Sequence, residues 1–311
     1  MRLSFMGTAA FALPSLRALV DAGHDIGLVV TQPDRPAGRG RRLTPPPVKV
    51  AAKELKLPIL QPEEVLEPSV LEAVRSAGPE AIVVVAYGQF LPESILALPP
   101  SGCLNLHASL LPKYRGPAPI PWAIIRAETV TGVTIMRIEA RMDAGPMLLQ
   151  QAEAIRPRDT AGTLGERLAE LGAELLCRAL DQVARGTVHL IPQDETLAAN
   201  APKLTPQDTH LDWVRDARSL DALIRGLLPE LGAVTRFGSR RVKVLQADVE
   251  AAPAAPPGTV LGIDSSKGVL VATGQGGLRL TQVQPENRAA MGAADFARGY
   301  RVRPRDTFGS V

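Results

Sequence analysis

The sequence predicts an α/β protein: an amino-terminal doubly wound, mostly parallel sheet of Rossmann-like type, then a smaller carboxyl-terminal β-barrel of the OB type. Three observations predict it. In the first half, short apolar runs alternate with amphipathic helical patterns, the arrangement of strands and crossover helices. The runs "LSFMG", "IGLVVT" and "AIVVVAY" show little polar alternation, as expected of strands covered on both faces. Towards the carboxyl end the style changes to short strand-like pieces separated by glycines and prolines.

The elements follow in order. Strands at Leu3–Gly7 and Ile26–Thr31 bracket a helix over Phe11–Ala22, and a second helix, Val48–Leu57, precedes a strand at Ala81–Tyr87. "GCLNLHA" and "GVTIMRI" add strands. A long helix from Thr163 to Ala184 spaces Leu164, Leu168, Leu171, Leu175 and Ala179 by alternating threes and fours, so one stripe faces the sheet while Glu166, Arg167, Glu170 and Arg178 face water. After Gly186 the periodicity fades through a proline-bearing stretch that reads as a linker. A helix at Ser219–Leu228 and strands at "AVTRF", "RRVKVLQADVE", "GTVLGID", "GVLVAT" and "GLRLTQVQP" build the barrel, with "AAPAAPPG" as a surface loop within it. The expected division is a catalytic domain over 1–187, a linker over 188–206 and an OB-like domain over 207–311.

Composition narrows the function classes. A chain of 311 residues with 45% hydrophobic content can bury one large core or two ordinary ones, and two domains are expected. No apolar run reaches the ~18–20 residues of a membrane span, and "MRLSFMGTAAFALP" has neither a basic leader nor a long apolar segment, so a cytoplasmic protein without a membrane partner is expected. Cys103 and Cys177 stand far apart with no ligand-spaced neighbour, which argues for small buried side chains and no metal. A net charge of +3 is too mild to argue for nucleic acid by itself. At Gly7 the first strand turns into "GTAAFA", which lacks the second and third glycines of the dinucleotide fingerprint and speaks against NAD or FAD.

The stretch "GCLNLHASLLPKYRGPAPIPWAI" carries the chemistry. On a strand, residues two apart share a face, so Asn105 and His107 point together, and Ser109 would follow if the strand continued. The carboxyl end of a parallel strand is where open α/β sheets bind ligands. Downstream, "EARMDAGPML" supplies Asp143 in a turn, where a carboxylate could orient the His107 ring. A buried histidine satisfied by local hydrogen bonds and a simple turn aspartate are the competing readings.

Taken together, "LNLHASLLPKYRGPAPIPWAI" and "ETVTGVTIMRIEARMDAGPMLL" resemble the core of the formyltetrahydrofolate-dependent formyltransferases. "TQPDRPAGRGRRLTPPPVK", "VVVAYGQFLP" and "QDETLAANAPKLTPQDTHLDW" extend the likeness over nearly the whole chain, towards the members that act on initiator methionyl-tRNA. The resemblance implies a catalytic trio of Asn105, His107 and Asp143, with 10-formyltetrahydrofolate as formyl donor, no metal and no covalent enzyme intermediate. It implies that Ser109, Leu110, Leu111 and Pro112 hold the folate and that Tyr87, Gly88, Phe90 and Leu91 line the pterin pocket. Two departures bear on loop geometry and tRNA contacts: Ala9 and Ala10 follow the first Gly-Thr, and "LLPELGA" stands where the family has a Pro-Trp-Pro-Gly-like element.

Basic clusters suit the nucleic-acid partner. "DRPAGRGRR" sets Arg35, Arg39, Arg41 and Arg42 on a glycine-proline segment too irregular for a helix or strand, free to follow a phosphate backbone. The resemblance places Arg39 at the tRNA acceptor end, flanked by Arg41 and Arg42. Arg236, Arg240, Arg241 and Lys243 form a second run, and Arg298, Arg301, Arg303 and Arg305 a third. A solvated charged face is the alternative for each.

Overall fold

The structure is a computed structural model that describes residues 1–37 and 42–309. Contacts divide the chain into two compact units. The first comprises Met1–Pro119, Val130–Ala154 and Gly165–Pro202; the second comprises Ile120–Thr129, Ile155–Leu164 and the chain from Lys203 onward.

In the first unit, β1 (Arg2–Gly7) is an interior strand, third in order, of a seven-stranded sheet. Helix α1 (Leu13–Asp21) leads to β2 (Asp25–Val30), and α1 begins with a proline in its first turn, where the missing N–H costs nothing. Strands β3 (Arg35–Ala37) and β4 (Arg42–Thr44) pair with each other, and α2 (Pro47–Glu54), β5 (Ile59–Leu60) and α3 (Pro68–Ala77) follow. Next come β6 (Ala81–Val85), α4 (Glu93–Leu96) and β7 (Cys103–His107). Helix α5 (Pro119–Ile125), which from Ile120 onward belongs to the second unit, precedes β8 (Val130–Arg137) and β9 (Met147–Ala154), and α6 (Ala161–Ala184) is the long helix. The order is β5-β2-β1-β6-β7-β8-β9. Pairings from β5 to β7 are parallel, while β8 is antiparallel to both neighbours.

This topology reverses at β1: the chain runs outward through β2 to β5, then returns to lay β6 on the other side. A crevice at the carboxyl ends of β1, β6 and β7 follows from that reversal. The sheet is therefore mixed, mostly parallel. Strand β6 ends at Val85 rather than Tyr87, because Ala86 turns to a φ of 45° and its carbonyl accepts the amides of Thr8 and Ala9.

The arginine segment corrects one expectation. Instead of wholly irregular loop, its described residues form the β3–β4 hairpin, with Arg35 opposite Thr44 and Pro36 opposite Leu43. Each strand has only three residues and β3 contains a proline, which suits a short edge ribbon without further partners.

In the second unit, α7 (Ala217–Gly226) is capped by Asp216, whose carboxylate accepts the Ser219 amide at 2.9 Å. Strands β10 (Ala233–Phe237), β11 (Arg240–Glu250), β12 (Val260–Asp264), β13 (Gly268–Ala272) and β14 (Gly277–Pro285) form an antiparallel sheet, with two-residue strands β15 (Met291–Gly292) and β16 (Phe308–Gly309). Register shifts between β11 and β14 near Gln246 curl the sheet, as bulges do. Its two ends meet at an isolated bridge between Thr259 and Thr307. Helix α8 (Ala293–Tyr300) inserts Phe296 into a core that also holds Trp213, Val242, Val271, Leu280 and Phe308. Arg236 of β10 lies directly across from Arg241 of β11, and the alternation puts both on the face opposite Thr235 and Val242.

Candidate active site

Strand β7 lies between β6 and β8 and presents Asn105 and His107 on one face. The His107 side chain is 6% exposed. Its Nε2 lies 2.9 Å from the Tyr114 carbonyl, which can only accept, so Nε2 carries the proton. Its Nδ1 faces Asp143 Oδ2 at 3.6 Å. Both ring nitrogens thus face oxygen atoms. Tyr114 and Asp143 reach these positions with φ of 62° and 48°, a left-handed backbone that aspartate tolerates and tyrosine adopts only when its surroundings hold it there. The Asp143 carboxylate also accepts the Gly116 amide at 2.8 Å. Gly116 has a φ of 120°, and a Cβ there would stand 2.7 Å from the Ala201 carbonyl, so only glycine fits. Among the described residues no side-chain hydrogen bond engages the Asn105 amide, which is half-buried beside His107.

The segments expected to hold the folate emerge from the carboxyl ends of adjacent strands. After β7 the chain turns rather than continuing: Ser109 is fully buried, and its hydroxyl donates to the Lys113 carbonyl at 2.6 Å. Thr134 of β8 pins this turn by donating to the Ser109 carbonyl and accepting the Leu111 amide. Gln150 of β9 donates to the Leu111 carbonyl at 2.8 Å. The Leu111–Pro112 peptide is cis. After β6, the Tyr87 carbonyl accepts the Thr8 hydroxyl and the Gln32 amide group, while its ring joins the core of Met6, Val30, Val84 and Ile95. Burial pushes the Tyr87 phenol up to about 12, with Glu67 adding to it. Gly88 sits beside Gln32 with a φ of 88°, Leu91 is partly buried, and Phe90 stands 66% exposed.

The stretch read as a linker lies against this centre. Ile191 pairs with Met147, the Ala199 amide donates to the Pro112 carbonyl, and the Ala199 carbonyl accepts the Arg115 amide. The Arg115 guanidinium, in a residue only 8% exposed, grips Gln193 and Glu195 together. Arg115, with Arg141 also bonded to Glu195, holds that carboxyl below its usual range. Tyr114, Arg115, Gln193, Thr134 and Gln150 were not singled out by the sequence reading as site residues. The signals were the basic-aromatic "KYRG" after β7 and the "QDET" motif in the stretch read as a linker.

Of the arginines, Arg39 and Arg41 lie outside the described residues, and Arg42 is exposed on β4. Arg240, Arg241 and Lys243 all lie on β11, where Arg240 stacks over the Tyr300 ring at 5.1 Å and Arg241 and Lys243 share the opposite face. Among the described residues, no cluster of His, Cys, Asp or Glu is built to hold a metal ion, and no helix is long and apolar enough to cross a membrane.

The sequence pattern described as formyl transferase matches residues 1–180, and the pattern described as the formyl transferase C-terminal domain matches residues 203–301. The chain belongs to the formyl transferase family. Among formyl transferases, a protein from Solibacter usitatus named methionyl-tRNA formyltransferase is 46% identical over 99% of each chain. One of the same name from Pelotomaculum thermopropionicum is 46% identical over 96% of each. HypX from Aquifex aeolicus, solved with tetrahydrofolic acid, is 19% identical with a TM-score of 0.66 over 98% of this chain; the chain spans 48% of its length. An N-formyltransferase from Helicobacter canadensis, solved with folinic acid and dTDP-3-aminofucose, is 15% identical with a TM-score of 0.64, covering 89% of this chain and 97% of that one. These structural likenesses place the formyl transferase fold on the chain.

Proposed function

We propose that this formyl transferase moves the formyl group of 10-formyltetrahydrofolate to the α-amine of the methionine esterified to initiator tRNA. The full-length identity to relatives bearing the methionyl-tRNA formyltransferase name supports this acceptor. The observation that carries the chemistry is the uncommitted Asn105 amide on the same strand face as His107, with Asp143 behind the imidazole.

The neutral amine attacks the formyl carbon, and the carbonyl oxygen gains negative charge. Asn105 donates a hydrogen bond to that oxygen, and His107, protonated or as a neutral donor, stabilises the same charge. Asp143, placed 3.6 Å from Nδ1, holds the ring orientation. As the new C–N bond forms, the amine loses a proton and folate N10 gains one when its bond to the formyl carbon breaks. Asp143 assists that transfer through water. The folate lies along Ser109–Pro112 with its pterin against the loop of Tyr87, Gly88, Phe90 and Leu91. On this reading residues 1–187 form the catalytic domain and 188–206 the connection. Residues 207–311 form an OB-type tRNA-binding barrel, a reading supported by the curled sheet and the Thr259–Thr307 bridge. We assign the protein to the cytoplasm.

The test is direct: incubation with 10-formyltetrahydrofolate and charged initiator tRNA yields a formylmethionyl ester. Formylation of free amines or hydrolysis of the folate, with tRNA untouched, would sink the reading.

The arginine segment provides a separate expectation. Replacing Arg41 and Arg42 together with alanine weakens tRNA binding and flattens the plot of log affinity against log salt by roughly 1.4 to 1.8 units, about 0.7 to 0.9 per lost phosphate contact. Arg39→Ala instead lowers turnover at saturating tRNA, because a misplaced acceptor end holds the amine away from the formyl carbon. Parental salt slopes and turnover in both variants would return the segment to a solvated surface.

A further inference from the structure

We propose that Gln193, anchored by Arg115, is a positioning residue that holds Asp143 at His107; the inference rests on the reading of Asn105, His107 and Asp143 as the reacting centre. Every hydrogen-bonding site of the Gln193 amide is used. Its oxygen accepts from Arg115 Nε at 2.9 Å and Nη2 at 2.7 Å, and its nitrogen donates to the carbonyls of Asp143 and Gly145, both at 2.8 Å. The next residue after Arg115 completes the hold, since the Gly116 amide binds the Asp143 carboxylate. Gln193 therefore holds the backbone of Asp143 while Gly116 holds its side chain.

The turn needs holding. Asp143 is left-handed, at a cost of order 1 kcal/mol that persists only where neighbours over-determine the conformation. Arg115 is itself registered by main-chain bonds: its amide donates to the Ala199 carbonyl and its carbonyl accepts the Ala201 amide. Nη1 and Nη2 bind the two Glu195 oxygens, which fixes the plane of the guanidinium and hence the direction of the two bonds to Gln193. Glu195 is about half exposed, so the ion pair contributes little stability; its consequence is orientation. The chemistry also explains the amide. Glutamate could accept from Arg115 but, ionised, could not donate to two carbonyls.

Gln193→Glu is the discriminating substitution, because it preserves size and the Arg115 contact while turning an oxygen towards the Asp143 and Gly145 carbonyls. The expected result is a fall in kcat of roughly ten- to a hundredfold, the cost of a displaced catalytic group. KM for 10-formyltetrahydrofolate should stay within about twofold, since the folate-binding turn is pinned separately by Thr134 and Gln150. Because the effect runs through Asp143, adding Gln193→Glu to Asp143→Ala should lower the rate by less than about twofold more. Parental kcat in the single variant, or a full additional loss in the double, overturns the positioning role. If Asp143→Ala loses activity while Gln193→Glu does not, the reacting centre stands and the clamp falls. An active Asp143→Ala enzyme overturns both.

Discussion

Asn105→Ala and Asp143→Ala each lower the single-turnover rate of formyl transfer by about a hundredfold or more, the scale measured for lost oxyanion donors and positioned acid-base groups. The two losses have different origins. Asn105 has no hydrogen bond to another side chain among the described residues, so its removal leaves the resting enzyme's contacts intact and acts where charge develops on the formyl oxygen. Asp143 accepts the Gly116 amide and faces Nδ1 of His107, so its removal frees the imidazole and leaves an amide unpaired. Asp143→Asn should retain more thermal stability than Asp143→Ala, because an amide oxygen can still accept from Gly116. A single-turnover rate within about threefold of the parent removes the substituted residue from the mechanism.

Phe296→Ala costs about 3–5 kcal/mol of folding stability, the range for truncating a fully packed aromatic. Phe296 is 1% exposed, with its ring centroid 4.6 Å from that of Tyr300, 5.9 Å from Phe237 in an edge-on arrangement and 6.4 Å from Phe308. Strands β10 and β16 and helix α8 converge on it, so a cavity there cannot close without moving all three. The two tryptophans of the chain report on this place: Trp213 belongs to the same core and Trp122 packs against it. Urea unfolding followed by their fluorescence should show the loss, and a change below about 1 kcal/mol would mean that the neighbouring rings refill the space.

The strands β10 to β14 were legible because glycines and prolines bound each run and β-branched residues fill them. Helix α8 and the two-residue strands β15 and β16 were not legible, since only tertiary packing around Phe296 and Phe308 gives such short pieces stability. Strand β9 escaped because its half-exposed face carries Gln and Glu, and nothing in its pattern names β8 as its partner. In the candidate site, the period of two brought Asn105 and His107 together from sequence alone. Asp143 needed the family resemblance beside its turn chemistry. The Arg115–Gln193 contact spans 78 residues, and a segment with only one short turn of its own, held mainly by distant chain, has no sustained periodicity, so it read as a linker.

The Arg236–Arg241 pair has an implication for how this enzyme can be improved. Two like charges directly across an antiparallel ladder repel, and among the described residues neither arginine has a carboxylate in salt-bridge range. The free protein carries that repulsion; a polyanion laid over the strands would cancel it. Arg241→Gln should therefore raise the melting temperature slightly while weakening tRNA, so selection for thermal robustness alone would erode the substrate grip. A variant that gains stability with tRNA affinity unchanged would assign the pair to ordinary surface and leave thermostability free to be engineered there.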